Sequence, residues 1–246
     1  GSTMAGRTGR TRWAAAAVLA VLGLCALLRG STPRQGQATA ALASENPKLI
    51  ALTFDDGPRR STTTRLLDGL SERGVKATFF LIGAQIENNG DVVRRMDEEG
   101  HQIGIHTFDH VKLTDLSRTD FDAQVETTRA LLKSTLGHND FLLRPPYGML
   151  DESVKAWAGC PIILWSIDPE DWRDQNTDRV VREVVAGARD GGIILIHDIF
   201  PESVDAALQI VDQLHQQGYL FCTVDELFAA RGLPLEAGEM YWNAYP

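Results

Sequence analysis

The chain has 246 residues, 43% of them hydrophobic and 23% charged, with a formal net charge of −9. That length suits one globular domain with a substantial core. Five of the arginines fall before residue 35, so the body is more acidic than the whole. Such a balance excludes a general nucleic-acid binder, whose phosphate contacts need Lys and Arg, and argues against a strongly acidic polymer as substrate.

In chain order, Gly1-Ser2-Thr3 precede Met4 and carry no fold information. Arg7, Arg10 and Arg12 then precede the apolar run Trp13 to Leu28, and no acid occurs before Glu45. A basic start before an apolar run of this length reads as an export signal or a membrane anchor. The A-x-A patterns at 38–40 and 41–43 lie well past the run, which favours the uncleaved anchor. Residues 31–46 read as a linker. The expectation is therefore a cell-surface or secreted protein whose membrane contact is confined to residues 1–30.

From Lys48 onward, short apolar runs alternate with amphipathic stretches. The strand-like runs are KLIALTF, KATFFLI, HQIGIH, FLLR, PIILWSI, GIILIH and YLFCTV. Helical periodicity falls at 61–73, 90–99, 117–136, 151–158, 177–189, 202–216 and 224–231, with cap-like Ser117, Asp151 and Thr177. Seven strand–helix units predict a parallel sheet covered by helices, either closed as a barrel or wound open. Residues 232–246 show no helical period and read as an irregular arm packed through Tyr241 and Trp242. Cys160 and Cys222 fall in apolar segments and read as small buried side chains.

Polar residues collect where the strands end: Asp55-Asp56, His106 to His110, Arg144 to Gly148, Asp168 to Trp172, and His197-Asp198. In a parallel α/β fold these carboxyl ends share one rim, where active sites form. His106 and His110 are four apart, a spacing that on one helical turn points both imidazoles at one metal. Two His and one carboxylate leave coordination positions open, which is the catalytic pattern. One of the two adjacent acids can then ligate, while the other takes a proton from activated water. His197 can serve as a general acid, with Asp171 the available carboxylate to raise its pKa. Arg144 can clamp a carboxylate bidentately. The backbone N–H at Tyr147 can face a developing oxyanion. Trp172 and Leu195 can wall a small apolar pocket. His101 reads as structural, and His138 and His215 as solvated.

TFDDG, HTFDH, RPPYG, DPEDW and IILIHD together resemble, in order, the five motifs of the polysaccharide deacetylase family, also called the NodB homology domain or carbohydrate esterase family 4. The resemblance covers about residues 47–231, the expected catalytic domain. It implies an α/β fold, a distorted (β/α) barrel with about seven parallel strands. It implies Asp55 as catalytic base and Asp56, His106 and His110 as ligands of one divalent metal, usually zinc, with cobalt, manganese or nickel as substitutes. It implies Arg144 as the residue orienting the base, Tyr147 as the oxyanion donor, Asp171 and His197 as the acid pair, and Trp172 and Leu195 as the acetyl pocket. Pro169 departs from the usual fourth motif, where a small polar residue is commoner. The implied reaction is hydrolysis of N-acetyl groups on an acetylated polysaccharide, peptidoglycan N-acetylglucosamine first, with chitin oligosaccharides or acetylxylan as alternatives. A non-catalytic glycan-binding domain is the reading from another class. The ligands alone also fit a two-His-one-carboxylate iron oxygenase, though that site belongs to all-β scaffolds. No G-x-S-x-G occurs, which argues against a serine esterase.

Overall fold

The computed structural model describes residues 46–246. The expected leader or anchor, most of its linker and Cys25 lie outside the described residues. Among the described residues, no helix is long and apolar enough to cross a membrane.

The elements run β1 (Lys48–Asp55), α1 (Arg60–Arg73), β2 (Thr78–Leu81), α2 (Gly83–Ile86), α3 (Gly90–Glu98), β3 (Gln102–Ile105), α4 (Arg118–Leu136) and β4 (Leu142–Leu143). They continue through α5 (Glu152–Trp157), β5 (Ile162–Ile163), α6 (Thr177–Gly187), β6 (Gly192–His197), α7 (Pro201–Gln216), β7 (Tyr219–Cys222), α8 (Val224–Ala230) and β8 (Met240–Tyr241). Local chemistry sets several of these ends. Ser117 caps α4 by accepting from Asp120 N–H, Asp151 caps α5 through Val154 N–H, and Thr223 with Glu226 forms a capping box on α8. The cap of α6 is Asn176, one residue before the expected Thr177.

The strands form one sheet in the order β6-β1-β2-β3-β4-β5-β8, and every pairing is parallel. β7 lies against Lys48–Ala51 of β1. Ile50 and Ala51 also pair with β6, so β7 must share the opposite edge of β1 with β2. Past β5 the chain crosses over, and Ile167 bridges to Ile194 of β6. The two ends of the sheet meet there, which makes a distorted barrel. Two corrections to the sequence reading arise at this seam. The arm, expected to be irregular, supplies β8 beside β5 and makes an eighth strand. The PIILWSI run is ladder-paired only at Ile162 and Ile163, because its second half moves from one neighbour to another.

Strand alternation sorts the side chains. Ile50, Leu52 and Phe54 of β1 pack outward under the helices, with Leu66, Leu67 and Leu70 of α1 among their partners. Leu49 and Ala51 point into the barrel, with Phe80, Leu142, Ile163 and Ile193. Space inside is tight. A Cβ on Gly104 would stand 2.4 Å from the Phe80 ring, so β3 must carry glycine there. The same parity continues along each strand, so the inner face turns polar toward the carboxyl rim. Thr53 and Asp55 follow Ala51, Arg144 follows Leu142, His106 follows Gly104, and Leu195 and His197 follow Ile193.

Candidate active site

Four strands therefore aim Asp55, His106, Arg144 and His197 at one space. Asp55 is buried, and its Oδ1 accepts from Arg144 Nη1 at 2.9 Å. Arg144 is wholly buried. Its Nη1 also donates to Thr53 Oγ1 at 2.7 Å, its Nε to the Ile163 carbonyl at 3.1 Å, and its Nη2 to the Leu164 carbonyl at 2.8 Å. The guanidinium lies 4.2 Å from the Phe80 ring centroid. The expected bidentate clamp is replaced by a single bond to Asp55, since the remaining donors are committed to Thr53 and two carbonyls. Burial lowers the arginine pKa, and Asp55 opposes that shift.

Asp56 leaves the strand in a left-handed conformation, φ 79°, and so departs from the parity that holds Asp55. Its carboxylate meets two imidazoles, with Oδ1 3.4 Å from His106 Nε2 and 3.4 Å from His110 Nε2. That oxygen is buried yet has no hydrogen-bond partner. Burial would raise the Asp56 pKa, but His106, by contact and by charge, and then His197 and His110 hold it below the usual carboxylate value. The Gly57–Pro58 bond that follows is cis. Gly57 packs on Asp198, whose Oδ2 would lie 2.9 Å from any added Cβ. Asp198 is itself buried, accepts from Thr63 Oγ1 at 2.6 Å, and is pushed up to about 7 by burial.

His106 Nδ1 lies 2.6 Å from the Arg144 carbonyl. A carbonyl only accepts, so Nδ1 carries the proton and Nε2 is left to face Asp56. The helical turn expected for His106 to His110 is not formed. Thr107 and His110 are left-handed, φ 66° and 56°, and the segment is a loop. Its carbonyls at Thr107 and Phe108 accept from Gly83 and Ala84 at the start of α2, and Gln124 Oε1 accepts from Phe108 and Asp109 N–H. This fold-back brings the rings of His106 and His110 to 5.1 Å between centroids. One donor atom from each of Asp56, His106 and His110 lies within 4.8 Å of the others. Together with the unpartnered Oδ1, that geometry fits a divalent cation.

His197 Nδ1 lies 2.7 Å from Asp171 Oδ1. The buried Asp171 also accepts at Oδ2 from the backbone N–H of His197 at 2.8 Å and from Ser203 Oγ at 2.6 Å. Burial lowers the imidazole pKa. The bond and charge of Asp171, then Asp55 and Asp56, outweigh it and bring His197 to about 9. Its Nε2 is 3.9 Å from Asp56 Oδ2, which puts this pair beside Asp56, His106 and His110. The loop carrying Asp171 is held by Arg179, which donates to the carbonyls of Pro169 at 2.6 Å and Glu170 at 3.0 Å. Pro169 costs that loop nothing visible, since its carbonyl is the group used.

Tyr147 is left-handed, φ 64°, and its side chain is exposed beside His110, with ring centroids 5.0 Å apart. Leu195 is buried on the inner face, while Trp172 stands 53% exposed at the rim. Sequence reasoning missed Thr53, Ser203 and Arg179. Thr53 was legible as the inward neighbour of Asp55 two residues back; Ser203 acts on Asp171 across 32 residues and Arg179 on the Pro169 and Glu170 carbonyls, which lie in no regular element, across 10 and 9, so neither leaves a local signal. His101 is structural as expected, accepting from Ala77 N–H at 3.0 Å. His138 and His215 are not simply solvated: His138 pairs with Asp97 at 3.0 Å, and His215 packs edge-on against Phe221. A cleft of about 550 Å³ lies at the starts of β4 and β5 between Arg129, Phe141 and Cys160, at the opposite rim from the ionisable cluster. The ionisable cluster stands apart from that cleft, at the carboxyl rim of the sheet.

A family model described as polysaccharide deacetylase matches residues 43–159. The chain is 42% identical over 196 residues to the peptidoglycan-N-acetylglucosamine deacetylase PgdA of Listeria monocytogenes, a match covering 80% of this chain and 41% of that protein. It thus spans about two fifths of that relative's length. Its fold matches the solved structure of a T48 deacetylase with substrate, TM-score 0.76 at 40% identity, covering 79% of this chain and 96% of that one. A family 4 acetyl xylan esterase from Clostridium thermocellum with a cobalt ion matches with TM-score 0.76 at 32% identity, over 80% of this chain and 98% of that one. The chain belongs to the polysaccharide deacetylase family.

Proposed function

We propose that this chain is a zinc-dependent N-deacetylase acting on peptidoglycan N-acetylglucosamine at the cell surface. The observation that carries the reading is the unpartnered Asp56 Oδ1 between two imidazoles, flanked by one acid held by arginine and one histidine held by acid. Asp56, His106 and His110 hold the metal; two imidazoles and one carboxylate suit zinc. A cation there supplies Lewis acidity toward the acetamide carbonyl and water. Asp55 is the base. Arg144 fixes its Oδ1, and its Oδ2, 3.5 Å from His106 Nε2, faces the reacting space and takes the proton of the attacking water. The backbone N–H at Tyr147 donates to the carbonyl oxygen as it gains charge. His197, held protonated by Asp171, gives its Nε2 proton to the departing amine, and acetate is released. Trp172 and Leu195 enclose the acetyl methyl group. The similarity to PgdA supports peptidoglycan as the glycan. The run Trp13 to Leu28 supports tethering at the membrane surface.

A second reading, esterase action on acetylxylan or deacetylation of chitin oligosaccharides, is favoured by the likeness to the acetyl xylan esterase. The test is acetate release from peptidoglycan, chitopentaose and acetylxylan, with zinc and with chelator. Zinc-dependent acetate from peptidoglycan, with new free amines on the glycan, is expected. Acetate from acetylxylan alone would replace the substrate, and binding without acetate from any of the three would leave a glycan-binding domain.

A further inference from the structure

Five large apolar side chains stand out from the surface among the described residues: Tyr147, Met149, Trp172, Leu233 and Trp242. Four of them follow the carboxyl ends of strands, Tyr147 and Met149 after β4, Trp172 after β5 and Trp242 after β8. Exposed aromatic area gathered near a polar cleft marks a binding surface more than a packing accident. Tyr147 and Trp172 belong to the catalytic opening. Trp242 and Met149 do not. They line a separate cleft of about 470 Å³, with Leu164 as further apolar wall and Thr114, Glu152 and Lys155 as polar edges.

That cleft neighbours the active site along the chain: its wall includes Gly148 and Met149, the residues directly after Tyr147, whose ring packs against His110. It is also firmly built. Gly148 backs onto the Trp165 ring, 2.9 Å from where a Cβ would stand. Asp151 ties the cleft's far side, accepting from both Asp115 N–H and Val154 N–H at 3.0 Å. Trp242 follows a strand bonded to β5 through Glu239 and Tyr241 carbonyls, at 2.9 and 2.8 Å. Beyond it, Ala244 N–H donates to Gly191 at 2.8 Å, and Arg231, paired with Asp190, donates to the Ala244 carbonyl. An exposed indole anchored on both sides loses little entropy when a ligand covers it.

We propose that Trp242 and Met149 form a second sugar subsite, occupied by a pyranose ring of the same glycan strand outside the ring that reacts at Asp55. This rests on the deacetylase reading given above. A pyranose has an apolar C–H face suited to an indole and a hydroxyl edge suited to Thr114, Glu152 and Lys155. The C-terminal arm thereby sets how long a strand is preferred.

The test compares wild type, Trp242→Ala and Trp242→Phe, zinc-loaded, on chitobiose and chitopentaose. KM for the pentamer is expected to rise about tenfold in Trp242→Ala, the effect of about 1.4 kcal/mol of lost stacking. Its kcat, and both constants for the dimer, stay at the wild-type value, and Trp242→Phe recovers most of the loss. Calorimetric titration of chitopentaose in an Asp55→Asn background supplies a readout independent of turnover, with melting temperature as the check on folding. If wild type releases no acetate yet pentamer binding still depends on Trp242, the deacetylase reading falls and the subsite stands. Equal changes on dimer and pentamer, or unchanged pentamer binding, overturn the subsite. So does a wild-type dimer in sedimentation that Trp242→Ala dissociates, since a second copy would then be the occupant.

Discussion

Arg144→Met removes a wholly buried cation from the inner face of the barrel, and its effect can be worked from the contacts. The guanidinium is wholly buried and makes four hydrogen bonds, to Asp55, Thr53 and two carbonyls. Methionine fills much of the volume, so the loss is electrostatic rather than a cavity. Asp55 is left buried with no charged donor, and removing one partner of a buried pair costs about 3–5 kcal/mol. Asp55→Asn leaves the arginine charge uncompensated but keeps an amide oxygen as its acceptor, so it costs about 1–3 kcal/mol. In the double variant neither charge is stranded. Its destabilisation should fall short of the sum of the singles by about 1–3 kcal/mol. The assay is urea unfolding of the four proteins at pH 7 with chelator, so that metal binding does not enter. A domain of this size starts from about 5–15 kcal/mol, which leaves the singles foldable. Additivity within about 0.5 kcal/mol would refute the claim that Arg144 exists to hold Asp55 as an anion.

Asp56→Asn should lose bound zinc, read by metal analysis after dialysis, whereas Asp55→Asn should keep it and lose turnover; the opposite pattern would mean the two acids are assigned backwards. An amine needs a proton to leave and an aryl oxide does not, so His197→Ala should retain a larger fraction of activity on an aryl acetate than on chitopentaose. Equal losses on both would remove its role as acid. His101 is held near 4 by burial, with Lys76 and Arg95 adding to the shift, against an unfolded value of about 6.5. The unfolded chain therefore binds the extra proton between those values, and stability present above about pH 6.5 is lost as pH falls toward 4. The loss should reach about 2 kcal/mol at pH 5. Urea midpoints at pH 7 and pH 5 should differ less in His101→Asn than in wild type; an unchanged difference would refute it.

The strands that were easiest to read are those that pair along their whole length. β1 and β6 appear as uninterrupted apolar runs because both faces are covered, one by helices and one by the barrel interior. FLLR shrinks to two paired residues because Pro145 cannot donate to a ladder. The three residues that could hold a metal were legible as residue types but not as geometry. A spacing of four suggested a helical turn, yet the partners that fold the His106 to His110 loop are Gly83, Ala84 and Gln124. Periodicity within five residues carries no information about bonds made to segments that distant. The arm escaped for a related reason, since a two-residue strand has no period at all and exists only because β5 offers an open edge.

The adjacency of Asp55 and Asp56 poses a sharper question, because neighbouring acids in one strand should repel and point to opposite faces. Parity alone would send Asp55 into the barrel and Asp56 toward the helices, where a charge would be stranded in the outer core. The chain avoids this by ending β1 at Asp55 and turning Asp56 through φ 79°. The turn needs Gly57, since any side chain there would strike Asp198. Asp198 is itself fixed by Thr63 Oγ1, and burial, with the charge of Asp56 adding to it, pushes its pKa up to about 7. One carboxylate thus keeps strand geometry and an arginine, and the other gives up strand geometry for two imidazoles. The different surroundings of the two acids follow from a backbone break of one residue. A substitution at Gly57 should therefore damage metal binding as surely as one at Asp56 itself.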